Sequence, residues 1–321
     1  MKVLVTGGSG YVGSKLIPAL LDNDCLVSSL DVVKYGGVRE DNLILTHGDI
    51  RDTAKVGAAM LACDAVIHLA CLSNDPASDL DSDLTKSINY DSFLPLVKAA
   101  KDACVKRFIL ASSSSVYGVK NEHNVTEDLP LKPMTDYSKY KAMCEEVLLN
   151  EREPGFETVI VRPATICGFA PALRLDLCVH ILTMAALRRG EITVFGGGQY
   201  RPNIHIDDIV DAYFTLLLAP ASKVDGQVFN VGYRNLTIQE TAEMVRSICG
   251  GEIVNKPLLN DPRSYHVSSE KYDNMFRVVP CHSIEDAIRS LRTAYLEGDI
   301  PDPDNNRYYR VKQMKDVFID G

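Results

Sequence analysis

The first thirteen residues constrain the fold more than any other stretch of the chain. Met1 to Thr6 is an apolar, β-branched run that predicts a strand, and the glycine-rich turn GGSGYVG follows it at once. A helix is then predicted over 14–22. Glycine permits positive φ, close approach of a pyrophosphate to the backbone and tight packing of helix on strand. Gly7, Gly10 and Gly13 are placed for these roles, and the helix start offers free N–H groups to an anion.

A second apolar run, over 25–30, ends in Asp31. An acid at this distance from the glycines accepts hydrogen bonds from a ribose diol and repels a 2'-phosphate. A glycine-rich turn alone is a weak signal, but here it lies between a strand and a helix and an acid follows. The pattern therefore predicts NAD rather than NADP. The alternative is an ordinary turn followed by a solvated aspartate.

Charge and cysteine usage narrow the class of protein. A chain of 321 residues with a net charge of -9 argues against a general binder of nucleic acid or anionic membrane. An anionic ligand must then be bound locally, by helix N-termini and a few arginines. The nine cysteines show no metal-ligand spacing. Their odd number, with no apolar leader, favours reduced thiols in a cytoplasmic protein without a metal site.

Strand and helix patterns alternate through the first half of the chain. Further strands are predicted over 42–46, 65–69, 107–111, 158–162 and 228–231, and helices over 53–60, 84–105, 137–150, 177–189, 207–218 and 237–249. Pro95 should kink or break its helix. The alternation predicts an α/β fold, a Rossmann-type doubly wound parallel sheet with a smaller mixed α/β substrate lobe.

We expect residues 1–165 to form the NAD-binding domain, with 206–233 packing back onto it. Residues 166–205 and 234–321 would form the substrate lobe, in which the composition drifts toward polar loops.

Several residues after the strands are further candidates for cofactor contacts. Asp49 has two interpretations, a contact to an adenine amine or a helix N-cap like the one expected of Asp52. His68 lies in an apolar run and is expected to be a core histidine. The other expected contacts are Tyr11, Val12, Ile50, Leu69, Ala70, Asn89 and Pro163.

A serine, a tyrosine and a lysine can carry chemistry at the same edge of the sheet. Tyr137 and Lys141 stand four apart and share one helix face. A free tyrosine loses its proton near pH 10, and a nearby ammonium and a nicotinamide cation favour the phenolate. Such a tyrosine accepts a hydroxyl proton as hydride leaves the same carbon. Ser113, at the end of the fifth strand, can steady that oxygen. The alternative for the pair is a solvated helix face.

These motifs together resemble one family. GGSGYVG, GDIRD, HLAC, SSSSVYG, YSKYK, RPATICG and RPNIHIDDI occur in the order typical of extended short-chain dehydrogenase/reductases, the nucleotide-sugar epimerases and dehydratases. The resemblance implies a seven-stranded nucleotide domain, a substrate lobe and a homodimer through two long helices. It also implies that Ser113, Tyr137 and Lys141 are catalytic and that the substrate is a nucleotide-diphosphate sugar.

The residues after Ser113 separate the reactions within this family. Members that dehydrate or decarboxylate usually carry acids there, and those that epimerise at C3 and C5 tend to have a cysteine at the place of Ser115. Ser114 and Ser115 are neither acidic residues nor cysteines. The chain therefore resembles the 4-epimerases, which pass a hydride from C4 to NAD and return it to the other face. A 4,6-dehydratase, a 4-ketosugar reductase and a catalytically silent NAD-binding regulator remain as alternatives.

The resemblance also implies substrate contacts. Arg201 and Arg263 match positions that hold the diphosphate, a task suited to the arginine fork. Arg174 is a further candidate, whose alternative is a surface charge. Ser114 and Thr165 are also expected to face the sugar. Thr165 and Cys167 depart from the residues usual in the family and leave the sugar's identity open.

Overall fold

A parallel sheet organises the molecule. The computed structural model describes residues 1–33, 41–73, 81–120, 122–258 and 264–319. Its strands are β1 Lys2–Thr6, β2 Leu26–Asp31, β3 Leu43–His47, β4 Ala65–His68, β5 Arg107–Ala111, β6 Glu157–Pro163, β7 Thr165–Cys167, β8 Glu191–Phe195, β9 Tyr200–His205, β10 Gln227–Val231, β11 Arg234–Thr237 and β12 Glu252–Lys256. Seven of them form one sheet in the order β10-β6-β5-β4-β1-β2-β3, all parallel. This is the predicted Rossmann-type sheet.

Helices cover both faces of the sheet. The helices of the described residues, those on the smaller sheets included, are α1 Gly13–Asp22, α2 Thr53–Met60, α3 Ser82–Lys86, α4 Phe93–Asp102, α5 Asp136–Asn150, α6 Cys178–Arg189, α7 Ile206–Leu218, α8 Ala221–Val224, α9 Ile238–Cys249, α10 Glu270–Phe276, α11 Ile284–Glu297 and α12 Arg310–Met314. No helix in the described ranges has the length and apolar character needed to span a membrane.

Alternate residues of the central strands enter two separate apolar clusters. Val3 and Val5 belong to the cluster that contains α1 and α7 residues, whereas Leu4 belongs to the cluster that contains α2 and α4 residues. Because both faces are buried, the strands are almost continuously apolar in sequence. This apolar composition allowed the strands to be predicted from the sequence.

The helix predicted over 84–105 is broken into pieces. Short α3 passes into a π-helical turn, Ser87–Asp91, and α4 begins at Phe93. Ser92 N donates to Ser87 O at 3.2 Å, five residues back. Pro95 is the third residue of α4, where a missing N–H leaves no intrahelical bond unmade. The break expected from this proline is confirmed, and it lies a few residues before Pro95.

Two smaller sheets complete the fold and were not predicted. β7, β9 and β11 form one, and β8 pairs with β12 in the other. β10 lies at the edge of the main sheet beside β6, which supports the proposed return of 206–233 to the nucleotide domain.

Candidate functional site

A cavity of about 990 Å³ opens at the carboxyl edge of the seven-stranded sheet. This volume is at the top of the usual range for ligand pockets, about 300–1,000 Å³. Eighteen of the residues predicted from sequence line it: Gly7, Gly10, Tyr11, Val12, Gly13, Asp31, Asp49, Ile50, Leu69, Ala70, Ser113, Ser114, Tyr137, Lys141, Pro163, Thr165, Arg174 and Arg201. Arg263 lies outside the described residues.

The glycine turn is built from close backbone contacts. Gly7 has a φ of 76°, and a Cβ on it would lie 2.7 Å from Ala70 N. A Cβ on Gly13 would lie 2.5 Å from Gly8 O. These contacts bring β1, the turn, the start of α1 and the end of β4 together. Because the first N–H groups of a helix have no intrahelical acceptor, the start of α1 is suited to an anion in the cavity.

Asp31 is held in position by the backbone. Its carboxylate accepts hydrogen bonds from Ser9 N at 2.9 Å and Val33 N at 2.8 Å. Burial raises the pKa of Asp31, and these bonds oppose the rise. A fixed carboxylate beside the turn can accept hydrogen bonds from ribose hydroxyls, which is the role predicted for it.

The structure shows that Asp49 is not the N-cap of α2. Asp52 is the N-cap of α2, since its side chain accepts from Ala54 N and Lys55 N. Asp49 instead pairs with Arg51 at 2.7 Å and lines the cavity. Burial would raise the pKa of Asp49, but the hydrogen bonds from Arg51 outweigh it and lower the pKa. The contact to an adenine amine remains a prediction.

Asn89 lies behind the cavity wall and is not among its lining residues. Its Oδ1 accepts from Leu72 N at 2.7 Å, and its Nδ2 donates to Leu72 O at 3.1 Å. The residue fixes the loop after β4, so the direct cofactor contact we expected becomes a supporting one. His68 is a core histidine, as expected: it bonds Thr6 Oγ1 at 2.7 Å, and burial lowers its pKa to about 3.

The predicted catalytic residues face the same cavity. Thr135 and Ser138 form a capping box at the start of α5, which fixes the backbone on both sides of Tyr137. One turn further on, the buried Lys141 donates from Nζ to Ala111 O at 2.6 Å. Its ammonium lies 5.9 Å from the centre of the Tyr137 ring. The predicted common face of these two residues is therefore present.

Ser113 is oriented by the next turn of chain. It is the N-cap of a short 3₁₀ turn, Ser114–Tyr117. Its Oγ accepts from Ser115 N at 3.1 Å and from Ser115 Oγ at 2.9 Å. A hydroxyl has two acceptor positions and one donor. With both acceptor positions filled by Ser115, the proton of Ser113 is left to donate to a ligand oxygen.

A buried ion pair supports this edge of the sheet and was not found from the sequence. Arg162 Nη2 pairs with Glu145 Oε2 at 2.6 Å, and both side chains are almost fully buried. Glu145 also accepts from Ser112 Oγ, and Arg162 donates to Tyr117 OH at 2.7 Å. The pair thereby joins α5, β6 and the segment around Ser113. The sequence signal for this ion pair was the arginine within the apolar run VIVRP. A charged residue in a buried strand indicates a buried partner of opposite charge.

The substrate-side residues divide into two groups. Arg174 is not a surface charge: it pairs with Asp176 at 2.9 Å and reaches Ser73 Oγ at 3.3 Å. Arg201 and Thr165 also line the cavity. Cys167 is fully buried outside the cavity lining, and its Sγ donates to Ile204 O at 3.3 Å. This departure from the expected pattern therefore lies in the core, and its effect on the choice of sugar stays a prediction.

The residues present fit a dinucleotide. A glycine turn at a helix start, a fixed acid on the next strand and a cavity along the strand ends are the parts of a nucleotide-binding site of the Rossmann type. The fold and the site thus define a dinucleotide-dependent enzyme.

Comparison with known proteins assigns the family. Residues 3–232 match the model of the NAD dependent epimerase/dehydratase family. The chain belongs to this family, its cofactor is NAD, and the resemblance inferred from the motifs is confirmed.

Individual relatives cover nearly the whole chain. The UDP-glucose 4-epimerase of Lactobacillus helveticus is 30% identical over 316 residues, covering 90% of this chain and 95% of the relative. A UDP-glucose 4-epimerase from Thermotoga maritima, solved with UDP-glucose, has a TM-score of 0.83 at 26% identity, covering 94% and 100%. A dTDP-glucose 4,6-dehydratase from Streptomyces venezuelae, solved with NAD and TYD, has a TM-score of 0.83 at 24% identity, covering 94% and 99%.

Proposed function

We propose that the protein epimerises a nucleotide-activated hexose at C4 through a 4-keto intermediate. The observation that carries this proposal is the set of acids around the cavity. Among the described lining residues these are Asp31, Asp49 and Asp176, and each is bound to backbone N–H groups or arginines. None of them follows Ser113, where the dehydrating members of the family usually carry an acid. A 4-epimerase needs no such group.

Each member of the triad has one task in this reaction. Bound NAD supplies a hydride acceptor and donor for C4. Tyr137 takes the proton of the 4-hydroxyl at its phenolic oxygen and later returns it. The ammonium of Lys141, fixed by Ala111 O, stabilises the phenolate, and Ser113 donates a hydrogen bond to the same sugar oxygen. The 4-keto sugar must then present its other face before the hydride returns.

The nucleotide diphosphate has candidate contacts on the same cavity. Arg201 lies among the lining residues of the smaller sheets and is suited to a diphosphate by its bidentate fork. The relatives whose names or structures include UDP-glucose support a UDP-sugar as the first substrate to test.

Product analysis tests this function. The purified protein is incubated with NAD and UDP-, GDP-, CDP- and dTDP-hexoses in heavy water, and products are followed by proton NMR and mass. We expect a C4 isomer of unchanged mass without deuterium uptake. A product lighter by one water, with deuterium, would show a dehydratase. In a parallel incubation with NADH and a nucleotide-linked 4-ketohexose, stoichiometric consumption of NADH would show a reductase.

A further inference from the structure

The last described segment of the chain returns to the nucleotide side of the cavity. It comprises α12 and a π-helical turn, Lys315–Ile319. Met314 is buried in the apolar cluster that contains Leu30 and Ile50, and Phe318 packs against the same cluster. Five of its residues line the cavity: Arg310, Gln313, Met314, Val317 and Phe318. The segment is therefore a wall of the site beside the end of β2.

Arg310 presents an incompletely paired charge to this cavity. Its backbone N donates to Asp176 Oδ2 at 3.1 Å, and one guanidinium nitrogen donates to Gln313 Oε1. Its Nε is buried without a hydrogen-bond partner in the described part of the chain. Burial, together with the nearby Arg174 guanidinium, lowers the pKa of Arg310 to about 10.

Two arginines here share one carboxylate. The side chain of Asp176 accepts from Arg174 Nε at 2.9 Å and Nη2 at 3.2 Å, and Arg310 donates to it through its backbone N. The guanidinium of Arg310 has a nitrogen without a hydrogen-bond partner in the described part of the chain, and an anion in the cavity would supply the missing acceptor.

The position of Arg174 and Arg310 indicates which anion they would bind. The charge of Arg174 acts on Tyr11 in the glycine turn, and the charge of Arg310 acts on Asp31. Arg174 is therefore near the glycine turn and Arg310 is near the acid expected to bind a ribose, and both arginines line the same cavity. In a dinucleotide the diphosphate occupies the stretch between these two points.

We propose that Arg310, together with Arg174, binds the diphosphate of NAD on the side opposite the glycine turn, and that the C-terminal segment closes this end of the cofactor site. The fork of an arginine matches phosphate oxygens bidentately. This inference rests on the cofactor and not on the proposed epimerisation, so it is tested by binding without any sugar nucleotide.

The variants are Arg310→Gln, Arg310→Lys and, as a matched control, Lys312→Gln, which removes a cation from the exposed side of the same helix. Dissociation constants of nucleotide-free full-length protein for NAD, ADP, adenosine and UDP are measured by calorimetry. Arg310→Gln should weaken NAD and ADP by about ten- to a hundredfold, as for loss of a charge-assisted hydrogen bond. The affinities of Arg310→Gln for adenosine and UDP should equal those of the parent protein. The affinities of Arg310→Lys for NAD and ADP should lie between those of Arg310→Gln and the parent, and Lys312→Gln should bind all four ligands as the parent does.

Three other outcomes overturn the proposal. Unchanged NAD and ADP affinity, or weakening of UDP alone, would assign the arginine to no ligand or to the sugar nucleotide. A structural role would lower the unfolding temperature of nucleotide-free Arg310→Gln and weaken adenosine equally. We expect that temperature to stay the same or rise, because an incompletely paired buried charge is removed.

Discussion

The phenolic oxygen of Tyr137 is the atom on which the proposed chemistry depends. Tyr137→Phe removes the proton acceptor and should lower kcat by about 10²–10⁴-fold while NAD stays bound. Turnover and bound NAD are measured on the same preparation. The matched control is Tyr140→Phe, which removes a hydroxyl from the same helix, where the ring stacks on Tyr90. Equal turnover in the two variants would exclude Tyr137 as the base.

At the residue scale, residues within local motifs could be predicted from the sequence, but the partners that side chains meet in the folded protein could not. Asp31 and the glycines could be predicted because the strand–turn–helix pattern and the spacing place them at the ends of two neighbouring parallel strands. Glu145 and Arg162 lie on consecutive elements, α5 and β6, and meet only because that helix packs on that strand. Asp176 and Arg310 are 134 positions apart and meet only through the return of the C-terminal segment. Asn89 has the expected type of side chain, but its amide is used by Leu72.

The junction of β1, the glycine turn and α1 is the element that positions the cofactor. A Cβ at Gly13 meets backbone atoms of Gly8, which cannot yield as a side chain does. Gly13→Ala should lower the free energy of unfolding by about 1–3 kcal/mol, as for overpacking, and weaken NAD binding. Thermal unfolding and NAD titration measure both effects.

Gly57 provides the control for this prediction. It is exposed within α2, and a Cβ there meets nothing within 4 Å. Gly57→Ala should stabilise the protein by up to about 1 kcal/mol through helix propensity alone. If Gly13→Ala were as stable as Gly57→Ala, the close packing of turn and helix would not be a constraint.

Elements of the main sheet were predicted within a few residues, whereas those of the smaller sheets were missed. The central strands are buried on both faces and read as apolar runs. β8 buries only two of its five residues, and β12 has exposed and half-buried residues but no buried one. Such strands depend on pairing with each other, which the sequence pattern does not specify.

At the scale of the whole molecule, the chain returns to the main sheet at β10, within the stretch 206–233 that was expected to pack back, and again at its C-terminal segment, where no return was expected. β10 joins the main sheet after a stretch that contributes β7, β8 and β9 to the smaller ones. The C-terminal segment also packs on the main sheet's apolar cluster, although we expected 234–321 to belong to the substrate lobe. A homodimer through two long helices stays a prediction.

The return of the same hydride is the central claim about this molecule, and an isotope label tests it most directly. A substrate found in the panel, beginning with UDP-glucose, is prepared with deuterium at C4 and incubated in ordinary water with catalytic protein and NAD. We predict two C4 epimers that both retain the deuterium at C4, because it leaves and returns within one closed site. Loss of deuterium from C4 to water or to free cofactor, or its retention in a 4-keto-6-deoxy product elsewhere on the sugar, would contradict the account.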